Sequence, residues 1–284
     1  MSRSIVFLFS LILAVSFSAA SEPAVELPFT IQNGFILVKA QVGNHAEPLT
    51  FLVDSGASTS LLSLHTANRL HLRLGAPEVA HGVGIDVKAY NVKALRVTAG
   101  DCELTKVDLA VDLRNTALLC PQPVDGLIGA DFFAHKIIQI DYAGKHLRLL
   151  RDAPGDDGKT SLLPIRLHNG VYCVGVSCNG SQPRWTRLDT GCNDPLHWVV
   201  PRTVAPRHRK EVSLGFMTDE RDVTLASVTL GPFALGTVET SLHGAPMFPD
   251  EAGLLGNGIL SKFLVTVDAP HHRLFLKPTS ARAN

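Results

Sequence analysis

The 284-residue chain carries no net charge: 26 Lys and Arg stand against 26 Asp and Glu. This removes the electrostatic basis for gripping nucleic acid or an anionic membrane surface. It also excludes the strongly acidic make-up of a protein built for very acid surroundings. Cysteine is sparse. The five present (Cys102, Cys120, Cys173, Cys178 and Cys192) include no CxxC pair and no Cys/His cluster with metal-ligand spacing. The adjacent His271 and His272 read as an exposed turn. No metal and no other cofactor is expected. Beyond the N-terminal leader no apolar run reaches a membrane-spanning length.

What remains is an ordinary globular composition, 45% apolar and 18% charged. Such a chain buries a sizeable core and is not disordered. Its length fits one large domain or two smaller ones. Residues 1–20 are a different object: Arg3 precedes the apolar run IVFLFSLILAVSF, and Ser18 and Ala20 supply small residues before Ser21. This reads as a secretory signal peptide cut after Ala20, with an uncleaved anchor as the rival reading. The mature chain is expected to be secreted or periplasmic, without a stable membrane span. An oxidising compartment permits disulfides, and an odd cysteine count leaves at least one thiol over. Cys102 and Cys120 are a candidate pair within the first half.

The chain repeats itself. NGFILVKAQVGNHAEPLTFLVDSGAS, from Asn33, has the layout of NGVYCVGVSCNGSQPRWTRLDTGCN, from Asn169. Both open on Asn-Gly, alternate as β-strands do, turn, and rise as a second apolar run into Asp-Ser/Thr-Gly. Further on, DGLIGADFFAHKIIQIDYAGKHLRLL, from Asp125, aligns with AGLLGNGILSKFLVTVDAPHHRLFL, from Ala252. The period of roughly 130 residues excludes a solenoid, whose units run to roughly 20–50. It implies two similar lobes, 21–150 and 161–284, joined by the linker RDAPGDDGKT at 151–160.

Short apolar and β-branched runs between Gly, Pro, Asn and Asp give an all-β reading. LLSLHTANRL, 61–70, is the clearest predicted helix. ADFFAHK and NGILSKF read as short helices, each before a hairpin turning at YAGK or APHH.

One Asp-Ser/Thr-Gly tripeptide arises by chance on the order of once in ten chains of this length, and alone it reads as an Asx turn ending a strand. Here the two, at Asp54 and Asp189, occupy equivalent points of a repeat. Each is followed downstream by an apolar-apolar-Gly element, Leu127-Ile128-Gly129 or Leu254-Leu255-Gly256. In this the sequence resembles the two-lobed aspartic peptidases related to pepsin and to the retroviral proteases. The resemblance covers nearly the whole mature chain. It implies two β-barrel-like lobes with a cleft between them, each lobe supplying one catalytic aspartate, Asp54 or Asp189. It also implies that Ser55 and Thr190 hydrogen-bond across the lobe interface, with simple turn capping as their alternative role. Gly56 and Gly191 let the backbone approach and bend at the two turns.

The implied function is that of an endopeptidase acting on a peptide or unfolded protein held extended. The alternative is a catalytically inactive peptide-binding module on the same fold. The expected state is a monomer. A β-hairpin flap is expected over the cleft; VAHGVGIDVKAY, 79–90, fits it, with Gly82 and Gly84 at a flexible tip. Tyr90 is the candidate flap aromatic, or else a strand residue facing the core. The charged LGFMTDERDV, 214–223, stands at the corresponding place of the second lobe and reads as a solvent-facing turn.

Ala57 follows the first turn as in the retroviral type. Cys192 follows the second where Ser, Thr or Ala is usual, and either tunes the pair or joins Cys173 or Cys178 in a disulfide. Trp185 and Trp198 line pockets or fill the core. The short stretch after Ser21 leaves no room for a propeptide, which fits a retroviral-like or bacterial exported type better than a digestive zymogen.

Overall fold

Asn33-Gly34 and Asn169-Gly170 place both residues at positive φ (48° and 84°; 47° and 78°), the geometry that lets a two-residue turn follow the twist of its strands. From such turns the chain builds a strand-for-strand repeat. The computed structural model describes residues 23–82, 86–114, 120, 122–200, 207–213 and 217–279. The leader read over 1–20, and Gly84, lie outside the described residues. In the first half the elements are β1 (Pro23–Gln32), β2 (Phe35–Val42), β3 (Leu49–Val53), β4 (Leu61–Ser63), α1 (Leu64–Arg69), β5 (Pro77–His81), β6 (Asp86–Ala99), β7 (Cys102–Val111), β8 (Gly126–Ile128), α2 (Ala130–Phe133), β9 (Ile137–Asp141) and β10 (His146–Leu150). In the second they are β11 (Ser161–His168), β12 (Val171–Cys178), β13 (Arg184–Leu188), β14 (Leu196–Val199), β15 (Arg207–Ser213), β16 (Met217–Leu230), β17 (Phe233–His243), β18 (Gly253–Leu255), α3 (Asn257–Leu260), β19 (Phe263–Asp268) and β20 (Arg273–Pro278).

Pairing follows the repeat. In the first lobe β2, β3, β8, β4, β7 and β6 pair in turn, and β6 returns to β2 to close a barrel. In the second, β12, β13, β18, β14, β17 and β16 do the same. In each, the pairs flanking the Asp-bearing strand and the short strand two places on are parallel, β3–β8 and β4–β7 or β13–β18 and β14–β17. A further antiparallel sheet, β1–β10–β9–β19–β20–β11, joins the lobes through the β9–β19 pair, where Ile140 opposes Val265 and Ile138 opposes Val267. One apolar cluster runs through both lobes and this sheet, from Leu27 and Phe51 to Leu255 and Leu276.

The fold corrects some boundaries. The helix expected over 61–70 begins only at Leu64. Leu61 and Leu62 are strand, because they pair with Leu127 and Gly126, and Leu62 also with Ala110. Ser63 then caps the helix by accepting the Thr66 N–H at 3.0 Å. Met217–Val223, expected in a charged turn, belong to β16 and pair with β15. The turn joining those strands lies outside the described residues. Among the described residues no helix is long and apolar enough to cross a membrane.

The cysteines do not pair as expected. Cys102 and Cys120 are free thiols, and so are Cys173 and Cys178, so neither of the latter joins Cys192. The Cys192 Sγ instead lies 3.9 Å from the Asp194 carbonyl, to which it donates.

Candidate active site

Buried strand β3 delivers Asp54, and strand β13, buried from Thr186 onward, delivers Asp189. Each is flanked in parallel by the short strand of its apolar-apolar-Gly element, β8 or β18. The Asp54 N–H donates to Ile128 O at 2.9 Å, and the Asp189 N–H to Leu255 O at 3.0 Å. Each strand ends on a carboxylate because the turn that follows points its N–H groups back. Asp54 Oδ1 accepts from Gly56 N at 2.9 Å and Ala57 N at 3.0 Å. Asp189 Oδ1 accepts from Gly191 N at 2.9 Å.

The two turns face each other across the lobe boundary. The Ser55 N–H donates to Thr190 Oγ1 at 2.9 Å, and the Thr190 N–H to Ser55 Oγ at 3.1 Å. Both hydroxyls then donate into the opposite strand, Ser55 to Leu188 O and Thr190 to Val53 O, each at 2.7 Å. All four side-chain bonds are buried and cross between lobes, far beyond what capping of a local turn requires. Gly56 lies against the Asp189 carboxylate, and Gly191 against that of Asp54. A methyl group on either glycine would overlap the opposite carboxyl.

The Asn-Gly turns belong to this assembly. Asn193, just past the second Asp turn, donates to Asn33 O at 3.2 Å, and a Cβ on Gly34 would lie 3.1 Å from Asn193 Cβ. On the other side a Cβ on Gly170 would lie 2.9 Å from Ser58 Cβ. Each hairpin tip thus braces the loop after the opposite lobe's aspartate.

Burial pushes both carboxyls above the usual carboxylate range. For Asp189 the neighbouring Asp54 charge adds to the rise. Two carboxyls so placed titrate as one unit and retain a proton that isolated carboxyls would lose. The pair is therefore suited to acid–base work on one molecule held between them.

Of the residues singled out in the sequence, Asp54, Asp189, Ser55, Thr190, Gly56 and Gly191 come together at one place. β5 and β6 do form a hairpin, and Gly82 follows β5 directly. Tyr90 opposes Pro77 at the base of that hairpin and Ala110 on β7, half-buried. Trp198 is buried and Trp185 partly so; Arg184 stacks on the first and Arg166 on the second.

Three buried polar residues at the site escaped the sequence reading. Asn257 donates to Thr190 O at 2.7 Å and Gly34 O at 2.8 Å, and accepts from Tyr142 OH at 2.7 Å. Arg187 and Glu251 form an ion pair beside the first turn. The signal lay in the repeat: the partner positions hold Ala130, Leu52 and Val124, so each lobe difference marks a residue with its own task.

Residues 38–132 match the family model described as Aspartyl protease. No curated protein matches the chain significantly. Among solved structures, the chain is similar to the aspartic proteinase from Irpex lacteus, with a TM-score of 0.53 at 16% identity over 94% of this chain and 100% of that one. It is also similar to Basic 7S globulin from soybean, with a TM-score of 0.50 at 13% identity over 90% of this chain and 95% of that one. The chain has a pepsin/retropepsin-like aspartic peptidase fold.

Proposed function

We propose that the protein is an aspartic endopeptidase that hydrolyses peptide bonds with a water held between Asp54 and Asp189. The observation that carries this reading is the reciprocal lock of Ser55 and Thr190, which aims two carboxyls at each other with the opposite lobe's glycine packed against each. A merely structural turn has no use for two buried carboxyls set face to face. In the resting state one carboxyl is ionised and the other protonated. The ionised carboxylate takes a proton from the water as its oxygen attacks the scissile carbonyl carbon. The protonated carboxyl donates to the carbonyl oxygen, giving a neutral gem-diol. On collapse a gem-diol hydroxyl returns its proton to the ionised carboxylate as the carbonyl re-forms, the C–N bond breaks, and the nitrogen leaves as an amine with a proton from the pair. The products are a carboxylic acid and an amine, and the pair regains one shared proton.

The substrate is a peptide or unfolded protein segment that lies extended in the cleft. The leader read at the N-terminus supports an exported enzyme acting in the periplasm or outside the cell; the proposed state is a monomer. The test is incubation of an unfolded protein with the purified chain from acid to neutral pH, with products read by mass spectrometry and Asp54→Asn run in parallel. Cleavage that vanishes in the variant is the expected result. A folded sample that binds extended peptides and cuts none at any pH would replace this reading with the non-catalytic binding module.

A further inference from the structure

The second lobe carries a buried charge pair where the first has only apolar groups. Arg187, two residues before Asp189, occupies the place of Leu52, two before Asp54. Glu251 occupies that of Val124. Leu52 and Val124 share an apolar cluster in the first lobe. Arg187 and Glu251 instead make a two-pronged ion pair, Nε to Oε2 and Nη2 to Oε1, each at 2.7 Å. Their side chains are 6% and 2% exposed. The Phe248 ring covers the guanidinium face, 3.3 Å from Cζ to the ring centroid.

The pair is not needed to hold the barrel. Swapping a buried ion pair for well-packed apolar groups is often neutral or stabilising, because desolvation offsets the attraction. The first lobe shows that the apolar version builds the same strands. What the ion pair adds is the remaining guanidinium nitrogen: Nη1 crosses the lobe boundary and donates to Gly56 O at 2.7 Å. Gly56 is the residue that lies against the Asp189 carboxylate and donates to that of Asp54.

We propose that Arg187, clamped by Glu251, is a positioning residue for the aspartate pair: it anchors the first turn through Gly56 O and keeps a positive charge against both carboxyls. This deepens the endopeptidase reading and rests on it only for the activity readout. Among the described residues, the titratable and charged groups facing Arg187 are Asp54 and Asp189 from the turns, Glu251 from the segment before β18, and Cys173 opposite it on β12, with Arg166 on β11 also near Cys173. Cys173 is neutral at working pH, since burial pushes its thiol up to about 12. Glu251 offsets part of the charge, yet Arg187 opposes the upward shift of both aspartates. The sign follows: with Arg187 present, the pair takes up its singly ionised form at lower pH than it would without it.

The test is Arg187→Leu/Glu251→Val, which copies the first lobe. Two measurements are made against pH: kcat/KM on an unfolded protein substrate, and the 13C carboxyl titration of the pair, assigned with Asp54→Asn and Asp189→Asn. The expected result is an upward displacement of both limbs of the rate profile, and of the titration, by roughly one pH unit, the lower end of what one nearby opposite charge produces. A purely structural role would lower the rate at every pH and leave the limbs in place, and that outcome overturns the proposal. Should the double variant not fold, Arg187→Gln/Glu251→Gln removes both charges, keeps the hydrogen-bonding groups and carries the same expectation. If the wild-type chain cleaves nothing, the endopeptidase reading fails, and the carboxyl titration alone decides: an upward shift supports the role of Arg187, and an unmoved one ends it.

Discussion

Ser55 and Thr190 bind each other twice. Each backbone N–H donates to the other's hydroxyl, and each hydroxyl donates onward into the strand that bears the other's neighbouring aspartate. The two lobes are therefore fastened at the point where their carboxyls meet. Small errors of placement there would be felt in the chemistry.

Ser55→Ala strands two buried groups, the Thr190 N–H and the Leu188 carbonyl. Leaving buried partners unpaired costs about 1–3 kcal/mol each, so a loss of about 2–6 kcal/mol is expected in urea unfolding. Peptide cleavage should fall about 100-fold, the scale at which small misplacements of catalytic groups act. Thr190→Val should behave alike, and the double variant should cost less than the two losses added, because both act on one network.

Gly191→Ala puts a methyl where the Asp54 carboxyl lies. Overpacking of this kind costs about 1–3 kcal/mol. The midpoint of thermal unfolding should drop, and cleavage should be lost together with it. Gly175→Ala is the control: its methyl meets Pro183 Cβ at an ordinary 3.4 Å, and both properties should stay near those of the parent.

The aspartate pair should weaken the fold as pH rises. Both carboxyls are raised in the folded chain above their unfolded value of about 3.9. Between those values the folded state binds more protons, so its stability declines with increasing pH. The contribution is complete below about pH 4 and is lost as pH climbs through the folded values. Asp189→Asn, which removes one charge of the pair, should therefore be more stable than the parent near pH 7, with the difference closing toward about pH 4. Carboxyls that shift the opposite way, such as Asp157 held low by Lys277, are common to both chains and drop out of the comparison. Urea midpoints of the two chains at several pH values measure it. A parent that is the more stable at pH 7 would contradict the raised pair.

Cys102, Cys120, Cys173 and Cys178 should all alkylate when the chain is unfolded without reductant. In the folded state Cys173 should resist, since it is fully buried and its thiol is pushed up to about 12. Mass spectrometry after iodoacetamide treatment in and out of denaturant reads both statements. A cystine linking any two of these four would disprove the first.

Strand content, hairpins and the twofold repeat were legible because they rest on local rules. Alternation writes a strand, and Asn-Gly writes its turn. A repeated Asp-Ser/Thr-Gly marks a paired element. Leu61 and Leu62 misled, because a helix-like run of apolar residues carries no record of the partners Leu127, Gly126 and Ala110 that draw it into a sheet. The cysteine pairings failed for a related reason. Spacing along the chain says nothing of which thiols the barrels bring near one another. Tyr90 illustrates the same limit: its place at the hairpin's base follows from register.

The sequence by itself determined that two similar β lobes would each end a buried strand on an aspartate, because those features depend on residues adjacent in the chain. Tertiary structure decided what surrounds the two aspartates: the exchanged hydrogen bonds of Ser55 and Thr190, the brace of Asn193 on Asn33, and the reach of Arg187 to Gly56 O. Each joins atoms more than a hundred residues apart in the chain. Such contacts exist only in the folded chain, where β9 and β19 pair across the lobes and one lobe's turn lies against the other's.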